Sequence, residues 1–391
     1  MTKLLMRFLG RLPLGWLQLV SNRFRFAAAA AGVGFACILV FVQLGMMGAF
    51  TEATRISYEA FNADIMISAS DANTLTDGSS VSRRRMFQAL AVPGVREACS
   101  LFVGKVNWNQ KDGSEIQFKV IGVDPSRKTF IGANIGNVES LLLANNILLD
   151  SHARGMDPDV LSSVTADNPL LLEAAGHQLA VVGTVTSGGG FADDGSMVVS
   201  DQTFLRMFPV RSSGGPNHLL LKINDAEDVG VVTDRIRKAL TDVGSIQVRS
   251  FADAIQQDVD YQTTRRPTGL IFGFGVAIGI IVGIVIVYQI LSTDVADHLG
   301  EYATFKAMGY DHRYFRGIVI EEAVILAVAG FFPAVLVSLG IYTVMAEATG
   351  LPIAMSPQRA VFVFLGTVAS CAMSGMIAMR KLDNADPADL F

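Results

Sequence analysis

The chain has 391 residues, of which 51% are hydrophobic and only 17% are charged, and its formal net charge is −5. Soluble domains have a similar apolar share but about 25% charged residues, so the unusual feature is the shortage of charge. This composition excludes a disordered chain and a coiled coil, and it argues against an ordinary soluble enzyme. The acidic balance excludes a basic surface for nucleic acid.

The N-terminal segment is basic and amphipathic. Lys3, Arg7 and Arg11 recur every four residues, with apolar side chains between them, and Trp16 is a ring typical of the membrane interface. We expect residues 1–25 to form a cytoplasmic amphipathic helix lying on the membrane. A basic tail without regular structure is the alternative.

Four windows contain no Asp, Glu, Lys or Arg: residues 26–51, 267–293, 323–346 and 360–379. Each is long enough to cross a hydrocarbon core of about 30 Å as a helix. The first window is too long for a signal peptide and lacks a small-residue cleavage site, so it is interpreted as an uncleaved anchor. The predicted fold is a multi-pass α-helical membrane protein with four transmembrane helices and a large α+β extracytoplasmic domain at 52–266, between the first and second spans.

The orientation follows from the basic residues that flank the spans. The N-terminal tail, the 294–322 loop and the 380–391 tail are rich in Lys and Arg, whereas the short 347–359 loop has only Arg359. Arg265 and Arg266 would favour the opposite orientation. They flank a long domain, however, and long domains cross the membrane largely regardless of charge. We therefore expect an inner-membrane protein with both termini in the cytoplasm and 52–266 in the periplasm.

The outer domain is predicted to mix strands and helices. Its last part, a strand at 218–223, a helix at 226–243 and a strand at 246–249, has the pattern of a β–α–β unit. Loops are expected at 187–194 and 212–216. The other strands are predicted at 63–69, 116–123, 178–185 and 196–199.

No catalytic or metal-binding constellation stands out in this domain. His152, His177 and His218 have no metal-ligand spacing to one another or to Cys99. The glycines at 188–190 are interpreted as a flexible turn, since no P-loop sequence follows. No Walker A sequence occurs anywhere, so we expect no ATPase activity, no cofactor and no metal on this chain. With three cysteines, two of them in the predicted spans, no disulfide framework is expected.

The cytoplasmic loop at 294–322 contains a predicted helix at about 294–308. It should end at Gly309 in a left-handed cap, and Tyr302, Phe305 and Met308 give it an apolar side. A helix lying on the membrane is one interpretation. The other is a contact for a cytoplasmic partner, because exposed aromatic side chains with few charges are costly without one.

Two further features concern the membrane helices. Gly275, Gly279 and Gly283 recur every four residues in the second span and give a smooth face for transmembrane helix packing, against another span or a second copy; a glycine-rich helix without such a role is the alternative. Glu321 and Glu322 precede the third window, where the helix dipole would favour carboxylates at an N-terminus. A proton relay is the less favoured interpretation.

Residues 301–310, with the sequence EYATFKAMGY, resemble the signature that follows the second span in permeases of the MacB/LolC/FtsX superfamily of ABC transporters, close to the DevC-type branch. The predicted topology and the DPADLF ending at 386–391 are similar to that superfamily as well. The chain differs from MacB itself in having no fused ATPase domain, and it has Phe305 where leucine is usual.

The resemblance implies a permease that couples to a separate ABC ATP-binding subunit. The expected coupling residues are Glu301, Tyr302, Phe305, Lys306, Met308, Gly309 and Tyr310. Further implied partners are a second permease copy in a homodimer, a periplasmic adaptor protein and an outer-membrane channel, with the lipid bilayer as surroundings and no nucleic acid.

Three functions remain open from the sequence. The first is the permease of a tripartite efflux system that exports a lipid-like or amphipathic substrate. The second is an FtsX-like mechanotransmitter that regulates a periplasmic partner such as a cell-wall hydrolase, or a lipoprotein-release permease. The third, a membrane-bound sensor or enzyme, lacks a catalytic cluster to support it. The large outer domain favours export.

Overall fold

The computed structural model describes residues 14–110, 113–186, 193–241, 244–298, 300, 304 and 308–383. The chain divides into two compact units. The first comprises Met1–Gly48, Leu270–Val344 and Ile353–Phe391, and we call it the membrane unit. The second comprises Ala49–Gly269 and Met345–Pro352, and we call it the outer unit.

Within the described residues, four helices are long and apolar enough to cross a membrane, which confirms the predicted number of spans and the fold class. A short helix precedes them and covers the described end of the predicted 1–25 segment, the rest of which lies outside the described residues. The helices are α1 (Leu14–Ser21), α2 (Arg23–Glu59), α8 (Pro267–Asp297), α9 (His312–Thr349) and α10 (Pro357–Asp383).

Two of these helices extend well past their uncharged windows. Helix α2 continues to Glu59, and α9 begins at His312, eleven residues before the window. Helical hydrogen bonding does not stop where a sequence becomes charged. The length of an uncharged window therefore underestimates the length of the helix. Glu321 and Glu322 consequently lie in the third turn of α9. The expectation that they lie at a helix N-terminus and are favoured by its dipole is wrong, because the dipole acts only within the first turn.

The outer unit contains a nine-stranded mixed sheet among its described residues, in the order β5-β6-β4-β7-β3-β2-β8-β1-β9. Strand order departs widely from chain order, so the sheet is assembled from distant segments. The strands are β1 (Ile65–Ala69), β2 (Val95–Asn109), β3 (Glu115–Val123), β4 (Asn146–Asp150), β5 (Leu170–Ala174), β6 (His177–Val185), β7 (Gly195–Ser200), β8 (His218–Ile223) and β9 (Ile246–Ser250).

The long strand β2 joins the two halves of the sheet. Its first part pairs with β8 and its second part pairs with β3, both antiparallel. Strand β1 lies between β8 and β9 and is antiparallel to each, so β8 and β9 are parallel but not adjacent. The predicted β–α–β unit is therefore split, because a strand from early in the chain occupies its middle position.

Five short α-helices lie among the described residues of the outer unit. Four of them begin at a capping side chain: Asp157 accepts from the Asp159 N–H, Ser200 from the Thr203 N–H, Asp228 from the Val231 N–H, and Ser250 from the Asp253 N–H. Such caps satisfy backbone N–H groups that have no partner in the first turn. The helices are α3 (Arg84–Leu90), α4 (Pro158–Ser162), α5 (Asp201–Met207), α6 (Val229–Ala239) and α7 (Phe251–Asp260).

The sheet is covered on both faces. Consecutive residues of β3, Val120 and Ile121, belong to two different apolar clusters, as expected where side chains alternate between the faces of a strand. A third cluster packs Ile65 and Ile67 of β1 against α6. This core is large enough to hold the domain, and no cysteine of the described residues forms a disulfide.

Candidate functional site

The predicted coupling segment is described only in part. Met308 and Tyr310 are 60% and 46% exposed, and the Tyr310 ring lies 4.9 Å from that of Tyr314. Gly309 has a φ of +92°, the left-handed conformation expected for a helix cap. The other four predicted coupling residues, Glu301, Tyr302, Phe305 and Lys306, lie outside the described residues.

The three predicted packing glycines of α8 face α2 within the membrane unit. A methyl group added at Gly279 would lie 3.0 Å from Cγ2 of Val40, and one at Gly283 would lie 3.1 Å from Cβ of Ala36. At Gly275 it would overlap the side chain of Gln43. These short distances show that the absence of a side chain on this face permits the two helices to approach closely.

A cavity of about 80 Å³ lies beside this contact, between α2, α8 and α10. Its walls are apolar and include Val40 and Phe362, together with the thiols of Cys37 and Cys371. The Cys37 thiol lies 3.2 Å from the Thr367 hydroxyl.

Charged side chains of the membrane unit meet where α1, α2, α8 and α9 come together. Arg25 donates to Asp297 at 2.5 Å, and the backbone N–H of Trp16 donates to Glu321 at 3.3 Å. Glu322 is completely buried and Asp294 is 5% exposed. Sequence analysis singled out Glu321 and Glu322 but not the cluster, because its members are up to 305 positions apart and contact one another only in the tertiary structure.

A second polar site lies in the outer unit, around the buried Lys119 of β3. Its Nζ donates to the Ser57 hydroxyl of α2 at 2.7 Å, and burial lowers the pKa of Lys119. Beside it is a cavity of about 260 Å³, whose lining includes Asp193, Asp258 and Arg266. Sequence analysis missed Lys119 because its strand was predicted only as an apolar segment. The signal that could have revealed this polar site is a lysine in the middle of a strand that is buried on both faces.

Asp258 of α7 connects three segments of the outer unit. One of its oxygens accepts from the Tyr58 hydroxyl at 2.9 Å and from the Leu75 N–H at 2.8 Å, and the other accepts from Gln262 at 3.2 Å. Burial raises the pKa of this carboxyl group, although the hydrogen bonds oppose the increase. Asp258 and Lys119 thus join the end of α2 to the sheet and to the segment before α8.

The remaining titratable residues of the outer unit have structural surroundings. His218 is buried, with its ring nitrogens 2.8 Å from the Ser68 hydroxyl and 2.9 Å from the Leu75 carbonyl oxygen. Burial raises the pKa of the Cys99 thiol to about 12, so it is a poor nucleophile. Among the described residues, no group of three or more His, Cys, Asp or Glu side chains is arranged to hold a metal ion.

A comparison with known protein families finds a match in the region of the last three membrane helices. Residues 273–387 match the family model described as FtsX-like permease C-terminal, a stretch that begins within α8 and includes α9 and α10. This part of the chain is therefore similar to the C-terminal domain of FtsX-like permeases.

Solved structures with weak similarity cover about half of the chain. The extracellular domain of the noncanonic ABC-type transporter YknZ from Gram-positive bacteria is 13% identical, covering 48% of this chain and 98% of its own length, with a TM-score of 0.34. The periplasmic region of MacB from Actinobacillus actinomycetemcomitans is 10% identical, covering 51% and 94%, with a TM-score of 0.34. These TM-scores carry no conclusion for this chain. No curated protein matches it.

Proposed function

We propose that this chain is the permease subunit of an ABC exporter, which relays ATP-driven motion of a separate ATP-binding subunit to its outer domain. The match of residues 273–387 to the FtsX-like permease C-terminal family carries the proposal. The proposed setting is a tripartite system in the inner membrane, with a second permease copy, a periplasmic adaptor and an outer-membrane channel. The proposed cargo is lipid-like or amphipathic.

The proposed contact with the ATPase is the segment from Glu301 to Tyr310. Its resemblance to the superfamily signature supports this role, and so does the exposure of Met308 and Tyr310 at its end. Apolar and aromatic side chains exposed together are typical of the centre of a protein–protein interface.

The proposed relay begins in α2, a helix with no break from Arg23 to Glu59. Near its end, Ser57 and Tyr58 are hydrogen-bonded to Lys119 of the sheet and to Asp258 of α7. A buried polar network of this kind transmits displacement because breaking any one bond leaves an unsatisfied group.

The test is copurification with a P-loop ATPase of the same organism, coexpressed with the full chain. Phe305→Asp introduces a charge into the proposed interface, and we expect it to weaken binding by about 2 kcal/mol or more, roughly 30-fold. The matched control is Phe87→Asp, because Phe87 is 59% exposed on α3 of the outer unit. Equal recovery of the ATPase with wild type and Phe305→Asp would refute the coupling assignment.

A further inference from the structure

Glu322 of α9 is the most completely enclosed carboxylate of the membrane unit's charged cluster. Its exposed fraction is 0%, and neither of its oxygens receives a hydrogen bond from an N–H or O–H group in the structure. An ionised carboxylate in such a place loses its hydration and gains nothing in return, at a cost of several kcal/mol. Among the described residues no hydrogen-bond donor neutralises it by contact.

The polar neighbour of Glu322 is a second carboxyl group. Asp294, near the end of α8, lies within hydrogen-bonding reach of it, and is itself 95% removed from solvent, with 5% exposed. A carboxylate has only acceptor atoms, so two carboxyl groups can hydrogen-bond only if one carries a proton. Two ionised carboxylates at this distance would repel each other strongly in a site without water.

Helix α1 closes the site from another side. A methyl group added at Gly15 would lie 2.9 Å from Cγ of Glu322, so the glycine lets α1 pack directly against this side chain. Trp16, the next residue, donates its backbone N–H to the neighbouring Glu321. The pair is thus covered by α1 as well as by its own two helices.

Other charged groups face the pair but do not neutralise it by contact. From α2, Arg25 is engaged with Asp297 at 2.5 Å, and its Nη2 atom has no acceptor. Directly after α8, His298 lies 3.8 Å from an oxygen of Asp294, and Asp297 of α8 adds a negative charge. Glu321 adds another from α9. In the part of the chain that the structure describes, the carboxylates near the pair outnumber Arg25, the permanent cation that acts on it.

We propose that Asp294 and Glu322 form a proton-binding site, in which a single shared proton joins α8 to α9 beneath α1. A proton is the ligand that fits, because the groups leave room for a hydrogen bond between them and the described residues supply no third His, Cys, Asp or Glu ligand for a metal ion. The shared proton forms a hydrogen bond between α8 and α9, the helices on either side of the 298–311 connection. Loss of this proton would leave two negative charges, whose repulsion would separate the two helices.

Infrared spectroscopy of the full chain in detergent tests this directly, through the carbonyl stretching band of a protonated carboxylic acid. We expect wild type to show this band at pH 7 and to lose it as the pH is raised. Glu322→Gln and Asp294→Asn should each shift its frequency, and the double variant should abolish it, while all keep a normal size-exclusion profile, because an amide replaces a neutral acid with little change of shape. Glu347→Gln, an exposed site on the same helix, should leave the band unchanged.

Several results would overturn the proposal. Absence of the acid band from wild type at pH 7 would show that the pair is ionised, with Arg25 or a bound cation as its counter-charge. A thermal unfolding temperature that depends on sodium or potassium concentration in wild type, but not in Glu322→Gln, would identify the cation. A band that persists unchanged in the double variant would assign the protonated acid to another residue.

Discussion

At the scale of single residues, the outer unit depends on polar side chains that are buried and individually satisfied. Lys119, Asp258 and His218 each occupy an apolar interior and each have specific hydrogen-bond partners. Buried groups of this kind add little net stability when paired and cost a great deal when a partner is removed. They define which segments come together and should make stability depend on pH.

His218 provides a prediction with a definite sign. Burial lowers its pKa to about 4, whereas an unfolded histidine has a pKa of about 6.5. Below pH 6.5 the unfolded chain therefore binds a proton that the folded outer unit excludes, and the free energy of unfolding should fall as the pH is lowered from about 6.5 to about 4. The loss should reach about 3 kcal/mol at most.

The measurement is the denaturation midpoint of the full chain in detergent over this pH range, with His218→Gln as the variant. The variant should be less stable near pH 7 but should lose less stability on acidification. His152→Gln, at an exposed histidine, should follow the wild-type profile. An unchanged pH profile in His218→Gln would contradict the assignment.

At the scale of elements, the membrane unit depends on how closely α8 approaches α2. The glycine face of α8 lies against Ala36, Val40 and Gln43. In lipid there is little hydrophobic force between helices, so van der Waals contact supplies much of the association energy. A side chain placed on this face would separate the helices.

We expect Gly279→Leu to destabilise the membrane unit by about 1–3 kcal/mol, the usual cost of overpacking. Gly273→Leu is the matched control on the same helix, because a methyl group there would meet nothing within 4 Å. Thermal unfolding and the monodisperse yield in detergent measure the difference. Equal behaviour of the two variants would show that the α2–α8 contact is not tight.

At the scale of the whole molecule, the orientation in the membrane remains a prediction from the charge pattern. The native cysteines suit a labelling test, because Cys37, Cys99 and Cys371 are all buried. Val210 is 98% exposed in the outer unit, and Met308 is 60% exposed next to the proposed coupling segment. Single cysteines at these two positions should therefore report opposite sides of the membrane.

We expect Val210→Cys to react with a membrane-impermeant maleimide applied to intact spheroplasts. Met308→Cys should react only after the membrane is permeabilised, and wild type should react weakly in both cases. Each variant serves as the control for the other. Labelling of Met308→Cys in intact spheroplasts would reverse the predicted topology.

Strand positions in the outer unit were largely predictable, since 218–223 agrees with β8 and 116–123 lies within β3. In these segments the apolar residues either alternate with polar residues or form short runs with clear ends. Strand β2, the longest, was not predicted, because its charged and polar residues interrupt the apolar pattern. Its role in joining the two halves of the sheet depends on partners more than 100 positions away.

The sequence by itself determined the number of spans, the inserted domain and the resemblance to a permease superfamily, because charge-free windows and a contiguous motif are local properties of the chain. Only the tertiary structure decided that Glu322 faces Asp294, that Lys119 reaches Ser57 and that β1 separates β8 from β9. Each of these contacts depends on how distant segments pack. The burial that results fixes which polar groups need a partner, and no local pattern contains that information.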